Sequence, residues 1–199
     1  MAKKDGTLDL RIKRTQKAIK ESFFFLVEEK GFEHISVKDI TDKAMISRNT
    51  FYLHYEDKYD LLNKICDELM RKLFFGTGKQ IRREQLLRVD IDSAARIMKM
   101  GDSIIAEDKD AYRILLTSSG SDLIIKKIQD IIRRALDLIK DDIEGISEFS
   151  IEYIVSGMTG LIKYQVTRSD DAPEVDFYSF ASLHLGNLID SINRKKTGR

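Results

Sequence analysis

SVKDITDKAMISRNTFYLHYEDKYDLL, residues 36–62, decides how this chain folds. Ser36 with Asp39, and Asp57 with Asp60, have the spacing of capping boxes. In that motif a short polar side chain accepts from the amide three residues on, and the acid reaches back to the cap. Ser47 lies between them as a further N-cap. Helices are therefore expected to start at 36, 47 and 57, inside 22 residues and joined by very short turns. The first is short, with Val37, Ile40 and Ala44 apolar, and must end by Met45 or Ile46. The second covers 48–54, and the third runs from the Asp57 cap to about Phe75. Starts this dense mark a compact helix-turn-helix unit.

Upstream, Thr15, Ile19, Phe23, Leu26 and Val27 follow the spacing of one buried helical face over residues 11–30. Phe24 and Phe25 widen that face toward a second neighbour. Gly31 after Lys30 is a helix stop, because glycine takes positive φ without a Cβ penalty. Downstream, Gly76-Thr77-Gly78 and the charged residues after it read as a linker or loose turn. Helices are then expected at about 90–107, 109–118, 122–140, 146–167 and 174–194, the last following Pro173. The fold class is all-α: an N-terminal three-helix, helix-turn-helix unit (residues 8–68) and a larger helical body (69–199).

Composition agrees. Among 199 residues there is one proline, where average usage gives about ten, so sandwiches and barrels built from many turns recede. Lys3, Lys4, Arg11, Lys13, Arg14, Lys17 and Lys20 against Asp5 and Asp9 give the first 20 residues a local +5, although the whole chain is only +1. That basic arm is either a DNA-reaching segment or a solvated, disordered tail. Cys66 is the one cysteine, and His34, His54 and His184 lie far apart, so disulfide frameworks and metal spacings are absent. No cofactor is implied. No signal peptide or 18-residue apolar run occurs, so the expected location is cytoplasmic, with no membrane partner. An enzyme would need a nucleophile–base cluster, a phosphate-cradling glycine loop or metal ligands, and none is legible.

The helix at 48–54 carries the functional signal. Only Phe51 is a plain core residue there, with Tyr55 just beyond; Arg48, Asn49, Thr50, Tyr52 and His54 are polar or amphipathic. A helix polar over most of its surface is poorly driven to fold by burial. Its side chains suit the DNA major groove, where Arg reads guanine, Asn reads adenine and Thr meets an edge or a thymine methyl. Lys58, just after the Asp57 cap, is placed to hold a phosphate with its charge and the helix amides. The plainer alternatives are a packed or surface role for His54 and a core role for the tyrosines; Tyr52 is assigned to contact and Tyr55 to core.

Residues 10–62, about a quarter of the chain, resemble the DNA-binding domain of the tetracycline-repressor (TetR/AcrR) family. The matching segments are Ile19 to Phe32 ending Glu-Lys-Gly-Phe, Ser36-Val-Lys-Asp-Ile with Ala44, and most densely Ile46 to Leu62. The resemblance implies that 48–54 is the recognition helix and that Ser47, Thr50, Tyr52 and His54 meet DNA backbone or base edges. It implies DNA contacts for Lys38, a phosphate grip for Lys58, and operator reading by Arg48, Asn49 and Leu53. Met45 departs from the pattern, standing in the turn where many members have glycine.

The resemblance also implies a body that dimerises and senses a ligand. Independently, Ile151, Ile154, Val155, Met158, Leu161, Ile162 and Val166 cover more than one helix face, and Gly157 and Gly160 either permit close helix approach or, equally, serve plain packing. The partners expected are a double-stranded DNA operator, a second copy of the chain, and a small hydrophobic effector. Met98, Tyr112, Tyr153 and Met158 are candidate pocket residues, although residues at such helical spacing are more often ordinary core. The function expected is a ligand-responsive, homodimeric repressor on a near-palindromic site. The alternative is a helical protein of the same build acting through a protein partner instead of a small molecule.

Overall fold

The computed structural model describes residues 3–78, 99, 101–137, 147–169 and 183, and all regular structure among them is helical. Helix α1 spans Lys3–Lys30. A 3₁₀ turn over Phe32–His34 follows, then α2 (Val37–Lys43), α3 (Arg48–Tyr52) and α4 (Lys58–Gly78). Residues 101–107 are helical. Beyond them lie α5 (Lys109–Thr117), α6 (Ser121–Asp137) and α7 (Glu148–Thr167).

The three expected starts are present. Ser36 and Asp39 form a complete capping box, with Asp39 N–H donating to Ser36 Oγ at 3.2 Å and Ser36 N–H to Asp39 Oδ2 at 2.8 Å. These bonds hold the Asp39 carboxyl below its ordinary pKa, the Ser36 hydroxyl contributing most. At α4, Asp57 Oδ1 accepts from the amides of Tyr59 and Asp60, both at 2.8 Å. Asp60 reaches back one residue further than a capping box does, accepting from Glu56 N–H at 2.9 Å.

Two expectations fail at helix ends. The segment from Lys3 is helical, so the arm is no disordered tail; Lys, Arg, Leu and Ile are adequate helix formers and extend α1 without needing a buried face. The glycines at 76 and 78 do not form a linker either, because α4 runs on through Gly78. At 21 residues α4 is about 31 Å long.

The core is continuous. Ile19, Phe23, Leu26 and Val27 of α1 are buried with Phe32, Ile35, Ile40, Phe51 and Tyr55. Leu61, Leu62, Ile65, Cys66, Leu69, Met70 and Leu73 give α4 a broad apolar stripe joining that cluster to Tyr112, Leu115 and Leu116 of α5, and to Ile124 and Ile128 of α6. Each fully buried Phe or Leu contributes about 2 kcal/mol, an upper estimate because the unfolded chain already hides some surface. In the body, α5, α6 and α7 pack on one another, and α6 also packs on α4.

Polar contacts brace α4 along its length. Lys20 of α1 pairs with Glu68, Lys127 of α6 with Asp67, and Lys72 with Asp108 at 2.7 Å. The Tyr112 hydroxyl, itself buried, donates to the Leu69 carbonyl at 3.2 Å. The body therefore meets the N-terminal unit chiefly through α4, with a second contact between α1 and α5.

Candidate nucleic-acid interface

The turn between α2 and α3 sets how α3 is presented. Met45 N–H donates to Asp42 O at 3.3 Å and Ile46 N–H to Thr41 O at 3.0 Å, the paired bonds of a Schellman motif. Its left-handed residue is Met45, at φ 53°. The expected departure is therefore one of residue and not of geometry: the backbone adopts the glycine conformation with a methionine in it. The Met45 side chain is 91% exposed, so no burial within the chain offsets that conformation. Gly31, the other positive-φ residue among those described, has φ 80° and ψ 150°, a region essentially restricted to glycine.

Helix α3 is anchored from beneath. Phe51 is completely buried, its ring 5.5 Å from that of Tyr55 and 5.7 Å from that of Tyr52. Tyr55 is core, as its position implied, and burial lifts its hydroxyl to a pKa of about 12. The opposite face is open. Arg48 and Asn49 are exposed, and among the described residues neither side chain has a partner. Tyr52 is more than half exposed and Leu53, at the C-cap, is 81% exposed. Thus Arg48, Asn49, Tyr52 and Leu53 project together from a five-residue helix whose one inward side chain holds it down.

The remaining candidates divide. Ser47 is the N-cap: its Oγ accepts from Thr50 N–H at 3.0 Å and lies 2.8 Å from Thr50 Oγ1, so both hydroxyls are engaged at the helix start. Lys38 is exposed near the start of α2 and 3.9 Å from Asp42. His54 is half-buried beyond the end of α3, its ring 6.2 Å from that of Tyr55.

Lys58 differs from expectation. Its ammonium donates to three backbone carbonyls, those of Phe32 at 3.1 Å, Glu33 at 3.2 Å and Ile35 at 3.0 Å. It points into the protein, not out beside the α4 amides. The acceptors lie more than twenty residues away in sequence, so no local pattern announces them.

The residues proposed for an effector are not brought together. Tyr112 is core, with its hydroxyl spent on Leu69. Tyr153 is exposed, Met158 is half-buried on the other side of α7's stripe, and Met98 lies outside the described residues. Regular spacing of aromatic and Met residues does not distinguish a pocket from a packed interior, and for Tyr112 the interior prevails. An open cleft of about 450 Å³ lies elsewhere, between the end of α1, the 3₁₀ turn and α5, lined by Glu28, Lys30, His34, Arg113 and Thr117 among others.

Residues 26–65 match the family model described as bacterial regulatory proteins, tetR family. This segment of the chain is therefore of the TetR type. The HTH-type transcriptional regulator YxbF of Bacillus subtilis (strain 168) is 33% identical over 63 residues, 32% of this chain and 16% of YxbF. YwcC of the same organism, also an HTH-type transcriptional regulator, is 29% identical over 73 residues, 36% of this chain and 33% of YwcC. The chain therefore spans a third or less of these relatives' length. Likeness of fold reaches further. A TetR transcriptional regulator from Streptococcus agalactiae 2603V superposes with a TM-score of 0.63 over 91% of this chain and 98% of that one, at 21% identity. The fold, a helix-turn-helix unit on a helical body, is common to both. Among the described residues no three His, Cys, Asp or Glu side chains are grouped to hold a metal, and no helix is long and apolar enough to cross a membrane.

Proposed function

We propose that this chain is a sequence-specific DNA-binding transcriptional repressor that acts as a homodimer and is released from its operator by a small hydrophobic effector. The observation that carries the reading is the outward face of α3, where Arg48, Asn49, Tyr52 and Leu53 stand free while Phe51 is fully buried. Arg48 and Asn49 are the base readers, by bidentate bonds to guanine and adenine respectively. Leu53 offers an apolar surface to a thymine methyl. Tyr52, Thr50, His54 and Lys38 meet the phosphodiester backbone, which fixes register without reading sequence. Ser47 acts by capping the helix that carries these groups.

A single five-residue helix reads too few base pairs for a specific site. Duplication by a two-fold axis supplies a second half-site about one helical turn away, about 34–36 Å along the duplex. Helix α7 supports that arrangement, because Phe149, Tyr153 and Tyr164 remain exposed on one side while Ile151, Ile154 and Val155 are buried on the other. Repression is relieved when an effector binds better to the arrangement in which the two α3 helices no longer fit successive grooves; equal binding to both would shift nothing. The links between body and headpiece suit such a shift. Besides the apolar core that α4 shares with α5 and α6, they include part-exposed ion pairs worth no more than about 1 kcal/mol each, so exchanging one or two of these lies within the 1–3 kcal/mol typical of allosteric coupling. Work on DNA places the protein in the cytoplasm.

The test is selection of genomic fragments by purified protein at physiological salt, wild type beside Arg48→Ala/Asn49→Ala. Enrichment of a near-palindromic site by wild type alone is the expected result. Equal enrichment by both proteins would remove α3 as the reader. Enrichment of nothing, even after unfolding, dialysis and refolding to strip a bound effector, would favour action through a protein partner.

A further inference from the structure

Lys58 opens α4 six residues after α3 ends, yet its side chain turns back to the segment that follows α1. An ammonium group has three N–H donors and no acceptor. Here all three are met, by the carbonyls of Phe32, Glu33 and Ile35 at 3.0–3.2 Å. These carbonyls belong to the 3₁₀ turn and its exit, the end of a helical segment where oxygens lack intrahelical partners and the local dipole is negative. Two ring faces complete the surroundings: Phe32 at 4.9 Å and Tyr59 at 5.4 Å from Nζ, the rings themselves edge-to-face at 5.3 Å. Moving this ammonium to a phosphate would leave three carbonyls without their donor and the rings without their cation.

The position of this arrangement matters as much as its chemistry. On one side, α4 leads directly back through Tyr55 and Phe51 to the recognition helix. On the other, the α5–α6 turn presses against the same Phe32: a Cβ on Gly120 would stand 3.5 Å from its Cδ1 and 3.4 Å from Leu62 Cδ2. The 3₁₀ turn is thus held between the body and Lys58. We infer that Lys58 is a positioning residue for DNA recognition, its ammonium tying the 3₁₀ turn to the first turn of α4 and so fixing the angle at which α3 is offered to the groove, in place of gripping a phosphate. This rests on the reading of α3 as the DNA-contacting helix.

Phosphate contact and positioning differ in what salt, sequence and arginine do. A lysine on a phosphate releases a counterion, so its loss flattens the dependence of log K on log[salt] by about 0.9 per contact and weakens all sequences alike. Arginine replaces it readily there. A lysine that converges on three carbonyls is not replaced by a planar guanidinium, whose donors fan outward in a rigid fork. The experiment measures binding of full-length wild type, Lys58→Met and Lys58→Arg to the selected operator and to a scrambled duplex across a salt series. Expected for both variants is a loss of at least about tenfold on the operator, an unchanged salt slope, and little change on scrambled DNA, so that the specificity ratio falls. A purely thermodynamic loss of stability would leave the specificity of the folded fraction unaltered, and that outcome overturns the assignment. So does a flattened slope with equal loss on both duplexes, or full rescue by Lys58→Arg. Should Lys58→Met not fold, Lys58→Arg decides by the same three readouts. If wild type binds no DNA, the reading of α3 fails first and this assignment with it; if wild type binds and Lys58→Arg is indistinguishable from it, only the assignment fails.

Discussion

Arg113 of α5 reaches across to Glu28 of α1, Nη2 to Oε1 at 2.8 Å, and so joins the helical body directly to the N-terminal unit over 85 residues of sequence. The Glu28 carboxylate holds the guanidinium above its ordinary pKa, with Asp110 at 3.7 Å adding to it. Both side chains are substantially exposed, which limits the strength of the link. A double-mutant cycle with Glu28→Gln and Arg113→Gln is expected to give a coupling of about 0.5 kcal/mol at low salt. That coupling should vanish near 1 M salt, where the Debye length falls to about 3 Å. A coupling above about 2 kcal/mol, insensitive to salt, would mean that headpiece and body are locked together, contrary to a mechanism that reorients them.

Met45 is strained for a reason that can be removed. A left-handed conformation costs a residue with a Cβ about 1–2 kcal/mol, and the exposed side chain gives nothing back inside the chain. Met45→Gly forfeits about 0.5–1 kcal/mol through a freer unfolded chain. The net expectation is a gain of about 0.5–1 kcal/mol, raising Tm by about 1–4 °C for a protein of this size. Met45→Val, with a β-branched side chain at the same φ, should lower Tm. A Met45→Gly variant less stable than wild type would show that the methionine makes contacts the exposure does not reveal.

Ser47 separates capping from DNA contact. Ser47→Ala should cost about 1 kcal/mol and Ser47→Gly only a few tenths, the ranking of N-cap residues. If Ser47 acts only through the cap, operator affinity should follow the same order. An equal loss of affinity in both variants, measured where both are folded, would give the hydroxyl a contact of its own on DNA.

Much of the headpiece was legible because its signals are local. A cap and its amide lie three residues apart, so Ser36, Ser47 and Asp57 mark α2, α3 and α4 within the sequence itself. The burial of Phe51 and Tyr55 beneath an open Arg48, Asn49 and Tyr52 follows from the same short stretch. The failures have a common physical form. Lys58 finds acceptors more than twenty residues upstream, and Glu28 its partner 85 residues further along the chain. Gly76 and Gly78 were read as a break, but the roughly 1 kcal/mol that each glycine costs a helix did not stop α4. Tyr112 was a candidate pocket wall by residue type alone, whereas its place is fixed by a carbonyl 43 residues earlier.

Burial fixes the alkaline limit of stability. It pushes the Cys66 thiol from 9.0 to about 12, with Lys127 partly opposing, and the Tyr55 hydroxyl from 10.0 to about 12. Both groups are neutral when protonated and hold their protons more tightly in the folded state. Their contribution is therefore complete below pH 9 and is lost as pH rises toward 12, first as Cys66 ionises in the unfolded chain and then Tyr55. The denaturant midpoint should be flat from about pH 6 to 8.5 and fall above about 9. In Cys66→Val the fall should begin nearer pH 10, where Tyr55 and Tyr112, both held protonated by burial, are left to drive it. An onset unmoved by that substitution would mean that other groups govern the alkaline transition.

The exposed side of α7 supplies the remaining prediction. Phe149, Tyr153, Gly157, Gly160 and Tyr164 recur at intervals of four, four, three and four, which places them on one stripe. Phe149 is 82% exposed, and the opposite face is occupied by Ile151, Ile154, Val155 and Val166 against the rest of the body. Among the described residues a Cβ at Gly157 or Gly160 would meet nothing within 4 Å, so no described neighbour requires either glycine. What the two leave is a shallow track between aromatic side chains, where a second helix can approach to the 8–10 Å typical of packed pairs. A two-fold axis through that track sets α7 against its own copy, each subunit's aromatics covering the other's glycines. Light scattering at micromolar concentration is then expected to report twice 23.0 kDa. Gly160→Glu, which buries a charge at the centre of such a contact, should reduce the mass to 23.0 kDa while leaving helicity intact, since the position faces open space in the single chain. Operator affinity should fall steeply with it, because each half-site would have to be held alone. A wild-type monomer would remove the two-half-site arrangement altogether. A Gly160→Glu variant that stays dimeric would keep that arrangement and move its interface to another surface of the body.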